Sequence, residues 1–143
     1  MKRFRYLLIA ASLGVSGNVF ACSIFLPPPN DRFEGSKVVV LAVPTAISFR
    51  PREAAKPSYE GSFKQTVLWQ VLISWKGSYR AGKTFTTRQE FSSGAECTSQ
   101  FPVYSNAPQL LYLRGKEPYA FFYHSSPARS VQDFQYLELV RRP

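Results

Sequence analysis

Between Phe63 and Trp75 six large apolar residues sit at odd positions. Phe63, Val67, Trp69, Val71, Ile73 and Trp75 fall on one side of an extended chain, and Lys64, Thr66, Gln70 and Ser74 on the other. A period of two suits a strand buried on one side, and a strand this long needs hydrogen-bonded neighbours to be stable in water. The first neighbour is close at hand. From Lys83 to Phe91, Thr84, Thr86, Arg88 and Glu90 alternate with Phe85, Thr87, Gln89 and Phe91. Gly77 to Gly82 supplies the turn, so the two runs read as a hairpin.

Three more strands follow from the same reasoning. From Lys37 to Phe49 the residues Val39, Leu41, Val43, Ile47 and Phe49 are apolar and β-branched residues dominate, with Pro44 implying a bulge or an edge. Gln109–Leu113 and Tyr119–Tyr123 read as a second hairpin across Arg114–Pro118. The breaker residues of Arg50–Gly61 and Ser92–Pro108 mark long connections. At the end, Ser130 precedes Val131, Phe134, Leu137 and Val140 at helical spacing, and Asp133 stands where a capping-box acid belongs. Five strands and one late helix predict an all-β fold with a terminal helix. A five-stranded OB-like barrel is favoured over a sandwich, which would want about seven strands.

The chain start reads differently. Lys2, Arg3 and Arg5 precede an apolar run from Tyr6 to Val15, and Val19-Phe20-Ala21 leads to Cys22. Charged, apolar and small-residue regions in that order predict a signal peptide over 1–21, and the apolar run is short of the roughly 20 residues a membrane-spanning helix needs. The mature domain is then 22–143, secreted or periplasmic, with no transmembrane segment. It opens on a strap, Ser23 to Asp31, in which Pro27, Pro28 and Pro29 predict extended, stiff backbone rather than helix.

Removing 1–21 takes away three of the 18 Lys and Arg and none of the nine acids, which leaves a formal charge of +6. A basic exported domain suits acidic partners such as anionic envelope components. Lys76, Arg80, Lys83 and Arg88 gather around the central hairpin among Trp75, Tyr79 and Phe85 and form a candidate basic binding face. Interleaved aromatic and basic residues also suit single-stranded nucleic acid, but an exported protein seldom meets it, and none is expected as a partner.

The residues for catalysis are scarce. His124 is the sole histidine, so any acid–base or Ser/His/Asp chemistry must use it, and a lone histidine after an aromatic strand is more often structural. No Cys/His cluster has zinc-ligand spacing, and no glycine-rich phosphate loop or carboxylate pair stands out. No catalytic residue, cofactor or intrinsic metal is expected, and the chain reads as a non-enzyme. Cys22 and Cys97 are the two cysteines. In an oxidising compartment they would pair, at a stabilisation of about 4 kcal/mol. The competing reading is a lipoprotein in which Cys22 is acylated, although Phe20 is bulky for that processing.

Cys22 directly after the signal, the strand from Phe33 to Ile47, Val71-Leu72-Ile73-Ser74-Trp75-Lys76-Gly77, Thr86-Thr87, and Cys97 ahead of Leu111-Tyr112-Leu113 together resemble the netrin-like module of the tissue inhibitors of metalloproteinases. The resemblance spans nearly all of 22–140, as a single-domain member with a bacterial style of signal. It implies an OB-type barrel and a Cys22–Cys97 disulfide. The family's second half-cystine is replaced by Ile24, and its partner position falls at His124-Ser125-Ser126, so both halves of that bridge are missing together.

The resemblance also implies inhibition of a partner zinc metalloprotease. A free α-amine and the carbonyl oxygen of the first residue chelate a catalytic zinc at its open position and displace its water. Here the wedge would be Cys22 and Ser23, with Ser23 entering the specificity pocket, Ile24 and Phe25 lining the ridge, and Glu96 and Cys97 flanking it.

Overall fold

A computed structural model of the chain describes residues 26–51, 63–91 and 101–141. Five strands form one antiparallel sheet: β1 (Val38–Pro51), β2 (Phe63–Lys76), β3 (Thr84–Phe91), β4 (Gln109–Arg114) and β5 (Ala120–Ser125), in the order β3-β2-β1-β4-β5. Two helices accompany it, α1 (Pro29–Glu34) and α2 (Val131–Arg141), with a single 3₁₀ turn at Pro127–Arg129. The protein is thus all-β with a terminal helix, as the alternation predicts. No described helix is long and apolar enough to cross a membrane.

β1 and β2 are each 14 residues long and pair over nearly their whole length, from Val39 opposite Lys76 to Pro51 opposite Phe63. Gly77 ends β2 at a positive φ of 99° that strains any other residue, and a Cβ there would meet Val38 Cγ2 at 3.1 Å. The outer strands β3 and β5 meet at one parallel bridge. Arg88 N–H donates to the Tyr119 carbonyl at 2.9 Å, and Tyr119 N–H to the Thr86 carbonyl at 2.9 Å. This is the one bridge between the two edges among the described residues, so the sheet is not closed along its length.

The sheet buries two cores, one on each side. On the concave side Val40, Ala42, Val67, Trp69, Val71, Phe85, Leu111, Leu113 and Phe121 pack together. Trp69 is fully buried there, and its Nε1–H donates to Thr87 Oγ1 at 2.8 Å, which satisfies the indole without breaking the apolar layer. On the other side α1 and α2 cover Val39, Leu110 and Tyr112 with Phe33 and Leu137.

The first half of β1 is therefore buried on both sides, which corrects the odd-position reading of that strand. Val38, Val40 and Ala42 line the concave core while Val39 faces the helices; the register then shifts between Pro44 and Ala46, and Ile47 packs against the concave core. Pro44 lies within a continuous strand rather than at its end, at a shift of the kind a proline demands.

Two local expectations are corrected. The proline strap is extended only at its start, because Pro29 occupies the first position of α1, where a fixed φ and a missing N–H are no handicap. Lys76 ends this helix from β2, its Nζ donating to the carbonyls of Phe33 at 2.8 Å and Glu34 at 3.3 Å. Nor does Asp133 cap α2. It is 2% exposed, and one of its oxygens takes both the Arg32 guanidinium at 2.9 Å and the Tyr112 hydroxyl at 2.7 Å. Arg32 Nε has no acceptor, and the guanidinium lies over the Tyr123 ring, 4.3 Å from its centroid.

This buried pair sets an expected outcome. Removing one charge strands the other, so Asp133→Ala should cost about 3–5 kcal/mol of unfolding free energy. The double variant Arg32→Met with Asp133→Leu should cost far less. Denaturant unfolding of the two measures the difference, and equal losses would show that the pair is not what ties α1 to α2.

Candidate functional site

At the end of the sheet the strap, β5 and the segment entering β4 meet. Gln65 anchors the segment that enters β4. It points inward from β2 at 1% exposure, its Nε2 donating to the Val103 carbonyl at 2.6 Å and its Oε1 accepting the Val103 N–H at 3.0 Å. Both backbone groups of Val103 are thereby satisfied by one amide, and the Val103 side chain is seated in the concave core. The sequence of β2 does not reveal the backbone that Gln65 meets. The signal available is its odd position, shared with Val67 and Trp69.

His124 lines the adjoining cleft from β5. Its Nε2 accepts the Phe101 N–H at 3.4 Å, Nδ1 lies 3.0 Å from Gln109 Oε1, and the ring lies against Phe121 at 4.6 Å between centroids. An acceptor at Nε2 and a carbonyl oxygen at Nδ1 together call for the neutral ring protonated on Nδ1. Burial pushes its pKa below the ordinary 6.5 in the same direction. Both nitrogens are thus engaged in holding Phe101 and Gln109, an arrangement that positions the chain.

Beside His124 lies an open cleft of about 840 Å³, bordered by Leu26, Phe101, Tyr104, Tyr123, Ser126 and Arg129. A second cleft of about 530 Å³ adjoins it across the strap, against Pro27–Pro29, Arg32, Gln132 and Asp133. Leu26, Tyr123 and Arg129 border both. Beside the larger cleft an aromatic ridge continues onto the β1–β2 hairpin, where Phe49 stacks on Tyr104 at 5.8 Å and 18°, and touches Phe63, which stacks on Phe91. Phe101 and Tyr104 are largely exposed.

The wedge residues Cys22, Ser23, Ile24, Phe25 and Glu96, and the partner cysteine Cys97, lie outside the described residues. The basic face is divided. Lys76 is bound to the end of α1 and lies 4.7 Å over the Phe33 ring, whereas Arg80, Lys83 and Arg88 are exposed on the β2–β3 hairpin. Among the described residues, no group of three His, Cys, Asp or Glu side chains is placed to hold a metal ion.

His124 has a pH signature. A group with a depressed pKa leaves the folded state neutral while the unfolded chain takes up its proton near pH 6.5, so stability is complete above that value and falls as the pH drops below it. Melting temperature should therefore decline from pH 7.5 to 5.5, with a shallower decline for His124→Gln over that window. Identical slopes for the two proteins would remove His124 as the titrating group. Set beside protein-family models, curated proteins and solved structures, the chain finds no match in any of the three.

Proposed function

We propose that the protein is an exported, non-enzymatic module built on a partly open OB-type barrel, whose chain start acts as a zinc-directed wedge against a metalloprotease. The barrel reading is supported by the Thr87–Tyr119 bridge, which brings the outer strands into parallel register beside a five-stranded order.

One observation carries the wedge. Leu26 stands four residues after Cys22 and Phe101 four after Cys97, and both border the same cleft. Four residues span at most about 14 Å, so two such lengths starting from one cleft can bring the cysteines within bonding reach. A Cys22–Cys97 disulfide would then hold the first residue against the barrel before any partner arrives, which lowers the ordering cost of binding. The Cys22 amine and carbonyl oxygen would supply the chelate, with Ser23 directed into the specificity pocket and Ile24, Phe25 and Glu96 beside it. The amine has an ordinary pKa near 8 and must lose its proton to donate, so the chelate weakens as the pH falls below that value.

The test is an assay of zinc metalloprotease activity against a fluorogenic peptide, with protein beginning at Cys22. Inhibition is expected, and it should disappear when one alanine is added before Cys22 while the melting temperature stays the same. Persistent inhibition by the extended protein would refute the chelate, as would intact-mass spectra showing two free thiols or a fatty chain on Cys22.

A further inference from the structure

The register brings two hairpin turns and the head of a strand to one end of the sheet. β1 starts there at Val38, β2 ends at Lys76, β4 ends at Arg114 and β5 starts at Ala120. The turn after β2 and the turn after β4 touch, because the Tyr79 hydroxyl lies 3.2 Å from both Glu117 Oε2 and the Tyr119 hydroxyl. Gly77 of the first turn packs on the head of β1, where a Cβ would meet the Lys37 carbonyl oxygen at 3.5 Å. Three segments remote in the chain therefore form a single surface.

Cations collect on it. Lys37 precedes β1, Arg80 and Lys83 stand in the first turn and Lys116 in the second; all four are exposed, and none makes an ion pair among the described residues. Arg114 adds a fifth charge, held by its Nε–H on the Gly35 carbonyl at 3.0 Å and by the Phe122 ring beneath it. The neighbouring carboxylates are fewer and already engaged. Glu34 lies 4.0 Å from Lys76, Glu117 takes the Thr86 N–H on Oε1 at 2.9 Å, and the Asp31 carboxylate accepts from the Asn30 amide one turn back in α1.

None of these cations borders the clefts beside the strap, and the larger of those clefts opens at the other end of the strands, at Gln109 of β4 and Ser125 of β5. Charges carried on turn tips and a strand head project from the molecule on separate segments. Such a spread suits a plane of anions that can gather beneath each charge, as mobile headgroups do. We infer that this end of the sheet docks on an anionic lipid surface through Lys37, Arg80, Lys83 and Lys116, with the cleft and the strap facing away from it. The inference is independent of the wedge.

The test is co-sedimentation of the protein beginning at Cys22 with vesicles of equal parts phosphatidylglycerol and phosphatidylcholine, over a salt series. Binding is expected at low salt, fading as salt rises, with none to pure phosphatidylcholine. Arg80→Gln and Lys116→Gln should each weaken it about fivefold, the factor that corresponds to the ~1 kcal/mol a cation contributes at an anionic membrane. Arg50→Gln carries the same charge change at the far end of β1, about 40 Å from Lys37, and should leave binding unchanged. Equal weakening by Arg50→Gln would mean a diffuse net-charge effect and overturn the assignment. Three other results would do the same: no binding to the anionic vesicles at low salt, equal binding to pure phosphatidylcholine, or binding of inorganic polyphosphate without binding of vesicles.

Discussion

β1 carries unequal demands on its two sides, and the architecture follows from how it meets them. A central strand between β2 and β4 must hydrogen-bond on both edges, and its first half is also covered on both faces. Val38 to Ala42 are accordingly apolar without alternation, as expected for a strand with no solvent side. Beyond Pro44 only the concave side remains buried, and the outward positions become Ser48 and Arg50. One strand thus serves as the floor of a helix-covered layer at one end and as the edge of an open surface at the other.

The helix-covered end is organised by a charge pair in an otherwise apolar setting. Arg32 belongs to the short helix after the prolines and Asp133 to the terminal helix, and Tyr112 of β4 joins them from below. Burying these groups has a desolvation cost that the contacts must offset, which makes the arrangement an expensive way to gain stability and an effective way to fix position. What it fixes is the path of the strap from Leu26 into α1. The larger cleft touches that same strap at Leu26.

The strands were legible in the sequence because their alternation is strong. β3 and the first part of β2 follow the period-two pattern, but Trp75 at the end of β2 turns to the helix side against Phe134, and α2 forms where expected with Leu137 buried while Val131 and Val140 of the expected apolar stripe are exposed. Features that depend on partners remote in the chain were not legible. Asp133 satisfies a capping pattern locally, but a buried guanidinium about a hundred positions away claims it instead. Gln65 sits in a polar-tolerant slot of an apolar face for the sake of a backbone 38 residues downstream. Lys76 looks like one of a basic group, yet the end of a helix formed before β1 takes its ammonium. The short α1 was hidden for another reason, since three prolines in a row suggest extended chain while the last of them is well suited to start a helix. At the site, His124 was legible as structural, but the convergence of strap, β5 and the Phe101 segment arises only from the folded register.

The Gln65 clasp has a consequence for how such a protein can change. The stretch before β4 has no ladder of its own; the Gln65 amide grips it at Val103, His124 accepts the Phe101 N–H, and Tyr104 stacks on Phe49. Its path is therefore set by side chains of β1, β2 and β5 rather than by backbone pairing. Three strands thus dictate where the chain enters the fourth, and a change at any one of Gln65, His124 or Phe49 would be felt at the mouth of the cleft.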